Sequence, residues 1–380
     1  MIDMKERAFK KEQRKKLKEI KKFNLKMYKK YNKEKKMKNI PESKYITKMK
    51  DNNNIIEFDN LKSYFFTDAG TVKAVDGVSF SIPKGATVGI VGESGCGKSV
   101  TSLSIMRLLQ GPQGQIVGGE IRFNNKNTNK VVDITKLPLS EMQKLRGNEI
   151  SMIFQEPMTS LNPVFTIKDQ LAESILLHNP DMKDDEVSKR VIELLNLVGI
   201  ANAEGIADRY PHELSGGMKQ RIVIAMALCC DPQLIIADEP TTALDVTIQA
   251  QILDLLRDLK DKINASIMLI THDLGVVASM CDYVVVMYAG RVIEQGTVQE
   301  IFKETKHPYT IGLIKSLPIL NTSIDKLYSI PGNVPNPINM PNHCYFKNRC
   351  VQCYDKCFGE YPPLIELTET HKVSCYLYKE

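Results

Sequence analysis

The chain has 380 residues, 43% of them apolar and 25% charged, which is enough to bury one large domain with additions or two modest ones. Those values exclude a peptide or a tail, and they do not separate an enzyme from an adaptor or a binder. The net charge of +6 misleads as a sign of nucleic-acid binding: residues 1–50 hold 20 Lys/Arg against 6 Asp/Glu, leaving an acidic remainder with 31 against 39.

In chain order, the first element is the basic arm of residues 1–50. Its run Lys10-Lys-Glu-Gln-Arg-Lys-Lys-Leu-Lys18 buries little apolar surface, so the arm is expected to be solvated, partly helical and otherwise disordered. Ile55–Leu61 and Val75–Ile82 alternate like strands, and Ala86–Val91 reads as a short buried strand entering a Gly-rich turn, with a helix beginning near Lys98. The region from about Leu137 to Leu214 shows no strand run and carries the helix-periodic segment Asp184–Leu197, which predicts a helical subdomain over about 137–214. Leu234–Ala237 and Ser266–Ile270 are expected as buried strands flanking a helix from about Val246 to Lys260, with Tyr283–Tyr288 a further strand. Strands alternating with helices predict an α/β fold with a mainly parallel sheet over 51–306. Beyond His307 the chain is Pro-rich (Pro331, Pro335, Pro337, Pro341), and 307–380 reads as a linker and a small Cys-rich module. No stretch reaches the roughly 18 to 20 apolar residues of a spanning helix, and no secretory signal opens the chain. The expectation is a cytosolic protein, with other chains supplying any path through a membrane.

Nine cysteines divide into scattered Cys96, Cys229, Cys230 and Cys281 and a C-terminal cluster of Cys344, Cys350, Cys353, Cys357 and Cys375. In a reducing compartment such a cluster points to a metal or iron–sulfur site rather than to disulfides.

Gly92-Glu-Ser-Gly-Cys-Gly-Lys-Ser99 fits Gly-x4-Gly-Lys-Ser between a strand and a helix. Its glycines let backbone N–H groups turn toward phosphates, Lys98 reaches the β- and γ-phosphates, and the Ser99 hydroxyl is placed to ligate Mg²⁺. The strand Leu234–Ala237 ends in Asp238-Glu239, one carboxylate for the magnesium and the next for an attacking water. Ser215 with Gly216 and Gly217 opens a helix and offers donors to an anion, or simply caps it.

Leu214-Ser-Gly-Gly-Met-Lys-Gln220 resembles the signature of ABC ATPases. That resemblance assigns nucleotide contacts to Phe65, Gly92, Glu93, Ser94, Gly95, Cys96, Gly97, Lys98, Ser99, Val100 and Gln155, with Phe65 (or nearby Tyr64) stacking on adenine or being a core aromatic. It makes Glu239 and His272 catalytic, Ala243-Leu-Asp245 a D-loop, and Ser99, Gln155 and Asp238 the magnesium ligands. Leu214, Ser215, Gly216, Gly217 and Met218 would contact ATP held by a second subunit, which implies a dimer. The segments Gly92–Leu103, Phe154-Gln-Glu-Pro-Met-Thr-Ser-Leu-Asn-Pro163, His307-Pro-Tyr-Thr310 and Ile330-Pro-Gly332 are similar to ATPases of oligopeptide/dipeptide importers over about residues 55–378.

Val100-Thr101 after the loop looks like the first of the two ATPase types, which implies a second, non-identical ATPase. Two integral-membrane permeases, an extracellular solute-binding protein acting indirectly, and a place at the cytoplasmic face of the membrane follow from the same resemblance, and no nucleic acid is expected. A four-iron, four-sulfur cluster on Cys344, Cys350, Cys357 and Cys375 is implied in the same way, with zinc on four thiolates or no ligand as alternatives. The same motor for nickel or another small solute, or a soluble ABC ATPase acting on nucleic acid, are the competing functions. The basic arm has no counterpart in the resemblance.

Overall fold

The computed structural model describes residues 2–35, 37, 40–155, 160–242, 245–317 and 328–378. Glu156–Thr159, from the segment resembling importer ATPases, and Ala243-Leu244 of the expected D-loop lie outside the described residues.

The arm, expected to be partly helical and otherwise disordered, forms helix α1 (Ile2–Lys35) over residues 2–35. Few residues hold it to the body. Asn24 Nδ2 donates to Thr67 O (3.0 Å), the Tyr28 hydroxyl donates to Phe66 O (2.7 Å), and the Phe23 ring meets Phe66 edge-on at 5.8 Å. Composition favours solvation of this segment, and these tertiary contacts are invisible to it.

Two long strands, β1 (Asn54–Thr67) and β2 (Gly70–Pro83), precede β3 (Thr87–Val91), α2 (Lys98–Ile105), β4 (Gly114–Asn125), β5 (Lys130–Asp133), α3 (Leu139–Leu145) and β6 (Ile150–Ile153). Helices α4 (Ile167–His178), α5 (Asp184–Leu197), α6 (Ala203–Ala207) and α7 (Gly216–Ala227) lead to β7 (Leu234–Asp238). Then come α8 (Val246–Ile263), β8 (Ser266–Ile270), α9 (Leu274–Met280), β9 (Tyr283–Tyr288), β10 (Arg291–Thr297), α10 (Val298–Lys303), α11 (Pro308–Lys315), β11 (Ile365–Glu366) and β12 (Lys372–Val373).

The central sheet has the order β6-β7-β8-β3-β9-β10-β12-β11. It is parallel from β6 to β9 and antiparallel beyond. A separate antiparallel sheet has the order β2-β1-β4-β5. The strands β10, β11 and β12 extend the expectation, and the earlier part of the chain needs correction as well. Ile150–Ile153 is a strand inside the region read as wholly helical; at four residues with Ser151 in the middle its pattern is too short to register. β4 and β5 are also additional, since Gly114, Gly118 and Gly119 interrupt the alternation of β4.

Strand alternation divides the interior. On β7 and β8, Ile235, Ala237, Ile267 and Leu269 face a core completed by α4, α5 and α7, while Leu234, Ile236, Met268 and Ile270 face one shared with the antiparallel sheet. Val284 and Val286 of β9 open a third core, closed by Tyr309, Tyr345 and Phe346 of the C-terminal segment. Burial on both faces is the expected environment of parallel strands reached through helical crossovers, and it presents the carboxyl ends of β3 and β7 to the site.

Candidate active site

β3 feeds the loop 92–97, and α2 begins at Lys98. Two glycines make the turn possible. Gly97 has φ +100, and a Cβ there would stand 2.2 Å from Ala74 O; Gly92 has φ +149, and its Cβ would stand 2.2 Å from Met287 O. Only a residue without a side chain lets the loop lie this close to β2 and β9. Ser94 and Gly95 are exposed, Cys96 is buried with its thiol pushed up by burial, and Val100 packs toward the core. The buried Lys98 ammonium donates to Gly92 O (2.7 Å) and Glu93 O (3.2 Å). A cation folded into a loop of backbone amides at a helix start is an anion subsite with its counter-charge in place.

β7 brings Asp238 alongside. Ser99 Oγ donates to Asp238 Oδ1 at 3.1 Å, and Ser102 Oγ donates to Oδ2 at 3.4 Å. Burial raises the pKa of this carboxyl against those hydroxyl donors, so the pair is short of positive charge. Ser99 and Asp238 therefore fit a divalent cation, whose oxygen ligands are of this type.

Glu239 takes φ +47, a left-handed conformation, with its N–H donating to Ile270 O at 2.8 Å. For an L residue that conformation costs on the order of 1 kcal/mol, and here it turns the side chain into a polar set. Oε2 accepts from Gln155 Nε2 (3.0 Å) and Thr242 Oγ1 (3.1 Å), and Oε1 stands 3.4 Å from His272 Nδ1. Gln155 thus rests on Glu239, where the sequence expectation attached it to the cation and nucleotide. Lys98, Ser99 and Asp238 form one connected group, and Gln155, Glu239 and His272 form the next.

The signature residues sit elsewhere on the surface. Ser215 is exposed and caps α7, its Oγ accepting from the Met218 N–H at 3.4 Å; Leu214 is buried, and Gly216 and Gly217 are half-buried. The link to the site runs through Gln220, whose Nε2 donates to Pro240 O, one residue past Glu239. Asp245 caps α8, accepting from the Ile248 N–H at 2.9 Å. Phe65 is half-buried on β1 facing Gly114, while the Tyr64 hydroxyl is committed to Asp76. Sequence reasoning missed Ser102, Thr242, Tyr309 and Arg349. The first two follow recognisable motifs by three residues each, which is one helical turn or one β-turn; the last two join the loop only through tertiary structure.

Cys344, Cys350, Cys357 and Cys375 line one small pocket with His307 and Phe346. Cys353 is not among the residues that line it. Burial pushes the Cys344 thiol up to about 12 and that of Cys375 to about 11. Among the described residues no group of three or more His, Cys, Asp or Glu side chains is arranged to hold a metal ion. The pocket gathers the right donor type without drawing it to ligand distance.

A Gly-rich phosphate loop, a strand-end carboxylate pair and a capped Ser-Gly-Gly helix on this sheet define an ATP-binding cassette. Comparison with known proteins agrees. The family described as ABC transporter matches residues 75–242, and that described as Oligopeptide/dipeptide transporter, C-terminal region, matches residues 293–357. The Oligopeptide transport ATP-binding protein AppD of Bacillus subtilis (strain 168) is 53% identical over 326 residues, covering 86% of this chain and 97% of the relative. The Dipeptide transport ATP-binding protein DppD of Lactococcus lactis subsp. cremoris (strain MG1363) is 49% identical over 325 residues, 85% of this chain and 90% of the relative. Among solved structures, the dimer of the ATP-binding cassette MJ0796 in a post-hydrolysis state with ADP and Pi aligns with a TM-score of 0.56 at 27% identity, covering 64% of this chain and 98% of the other. The chain belongs to the ABC transporter ATPases, within their family of oligopeptide/dipeptide transport ATP-binding proteins.

Among the described residues no helix is long and apolar enough to cross a membrane.

Proposed function

We propose that this chain is the ATP-hydrolysing motor of an importer for oligopeptides or dipeptides, bound at the cytoplasmic face of the membrane to two permease subunits that receive cargo from an extracellular binding protein. The observation that carries the chemistry is the adjacency of two groups, Lys98–Ser99–Asp238 and Gln155–Glu239–His272. The names of the relatives at 53% and 49% identity carry the cargo class. Lys98 and the loop amides hold the β- and γ-phosphates, and Phe65 stacks on adenine. Ser99 and Asp238, with Gln155 as the further expected ligand, would hold Mg²⁺, and the bound ion would neutralise charge on the phosphates. Glu239 polarises the attacking water and His272 keeps it in register, a positioning task suited to phosphoryl transfer.

Ser215 is exposed at a helix N-terminus, the place from which it reaches a nucleotide held by another subunit. The partner in this reading is a second, non-identical ATPase, with Asp245 at the shared interface. Val164 and Phe165, just before α4, and Leu177 on it are exposed apolar residues, and in this reading they offer the permease a surface. The domain limits in this reading are an arm over 1–50, a cassette over 51–306 with its helical part within 137–214, and an extension over 307–380. The cysteine pocket is read as holding a four-iron, four-sulfur cluster on Cys344, Cys350, Cys357 and Cys375, with zinc the other candidate. Anaerobic purification with neither metal in stoichiometric amount removes this second reading.

The deciding experiment is Glu239→Gln in the complex co-purified from membranes. Gln keeps an acceptor for Gln155 and Thr242 while losing the charge, so turnover should fall about 10²- to 10⁴-fold, the range for a general base, with ATP still bound. Brisk hydrolysis by this variant refutes the role of Glu239. Stimulation of the reconstituted wild-type complex by nickel chelates or glycosides, and not by peptides, refutes the cargo.

A further inference from the structure

The phosphate loop carries an acidic residue, Glu93, beside the place where a polyanion must bind. The C-terminal extension supplies its counter-charge. Arg349 Nη1 donates to Glu93 Oε2 at 2.7 Å and Nη2 donates to Oε1 at 2.9 Å, a two-pronged fork with the arginine side chain only 5% exposed. The other contacts of the guanidinium hold it in place: Nε donates to Pro331 O (3.1 Å), Nη2 also to Ile330 O (3.3 Å), and Nη1 also to the Tyr288 hydroxyl (3.3 Å). A planar fork gripped in this way fixes direction as well as charge.

A second contact reaches the same loop residue. The Glu93 N–H donates to the hydroxyl of Tyr309 at 2.8 Å, and Tyr309, wholly buried, packs with Tyr288 and Phe346 at ring separations of 4.7 and 5.5 Å. Glu93 is therefore held by its side chain from Arg349 and by its backbone from Tyr309, and Tyr288 contacts both of these partners. Its carbonyl is one of the two that hold the Lys98 ammonium, at 3.2 Å. The contacts run without a break from the extension to the lysine that must meet the phosphates. Released from Arg349, the Glu93 carboxylate would present an uncompensated negative charge to ATP and free the carbonyl that Lys98 rests on.

We propose that Arg349 is a positioning residue for ATP: by neutralising and orienting Glu93 it makes the phosphate loop able to accept a polyanion, and it ties nucleotide affinity to the C-terminal extension. This rests on the reading of Gly92–Ser99 as the nucleotide loop and deepens it. Cys350 follows Arg349 directly, and Cys344 begins the same short segment, so the thiol pocket sits on the part that holds the guanidinium.

The test is a cycle of Arg349→Met, Glu93→Gln and the double variant in the purified complex, with ATP KM, kcat and melting temperature read for each. Arg349→Met should raise the KM about tenfold, the value of a charge-assisted hydrogen bond to a charged group, with kcat changed less than about threefold. Adding Glu93→Gln to it removes the exposed charge and should restore the KM to within about threefold of wild type. Arg349→Lys, which keeps the charge and loses the fork, should fall between. An unchanged KM in Arg349→Met, or a double variant as impaired as Arg349→Met, overturns the proposal. Should Arg349→Met not fold, the double variant and Arg349→Lys decide alone, since neither strands a charge. Absence of ATP turnover in the wild-type complex would instead count against the nucleotide-loop reading itself.

Discussion

Replacing Gly97 by Ala should damage the site far more than the fold. The new Cβ would stand 2.2 Å from Ala74 O, with Ala74 C at 3.4 Å and Met287 Cε at 3.5 Å, at a φ of +100. Reaching an ordinary contact takes movement of about 1 Å between β2 and the start of α2, and the left-handed backbone adds on the order of 1–2 kcal/mol. That movement is delivered at Lys98 and Ser99, the next two residues, and pulls Ser99 from Asp238, now 3.1 Å away. A displacement of about 1 Å at a reacting group costs roughly a hundredfold, so kcat/KM for ATP should fall by about that factor or more. The assay is steady-state hydrolysis with titration of a fluorescent ATP analogue, beside circular dichroism and thermal melting. Gly85→Ala is the control for the dihedral cost alone: its φ is +73, its nearest neighbouring atom is 3.8 Å away, and it lies in the turn before β3. It should lose about 1–2 kcal/mol of stability with kcat/KM unchanged. If Gly97→Ala retains activity within about threefold of wild type, the close approach to Ala74 does not govern the loop, and the reasoning fails.

Asp238→Asn should abolish Mg²⁺-dependent turnover by about a hundredfold or more without lowering the melting temperature, because burial already disfavours the charged form of this carboxyl; a melting temperature that falls in step with activity contradicts it. Deleting residues 2–35 removes the contacts of Phe23, Asn24 and Tyr28 with β1 and should lower the melting temperature by a few degrees with ATP turnover intact; loss of turnover would show that α1 supports the site. Glu300 accepts from the Thr297 N–H and from the hydroxyls of Thr297, Thr368 and Thr370. Although burial acts to raise it, these donors hold the carboxyl at about 2, from an ordinary value of 4.5. A depressed carboxyl contributes stability that is present above pH 4.5 and is lost as the pH falls toward 2. Glu300→Gln should flatten the stability profile across that window, and a profile parallel to wild type would refute the assignment.

Sequence alone located the candidate site at the ends of the strands. Gly92–Ser99 and Asp238-Glu239 are short, local and composed of residue types that few other tasks require, and β8, β9 and α5 were legible to the residue because burial on both faces or a 3.6-residue period leaves a dense pattern. Ile150–Ile153 was hidden by its brevity and β4 by its glycines. The docking of the arm was hidden because the few residues that touch the body do not alter a lysine-rich composition.

Tertiary structure decided which charged groups meet. Gln155 and Glu239 are 84 residues apart, Ser99 and Asp238 are 139 apart, and Glu93 and Arg349 are 256 apart. Hydrogen bonds and ion pairs carry no sequence period, so only the folded sheet, which brings the ends of β3 and β7 to either side of β8 and closes the C-terminal segment over β9, fixes these partners. The residues proposed to touch phosphate were legible in the sequence, and Arg349, which pairs with Glu93 of their loop, emerged only in the fold.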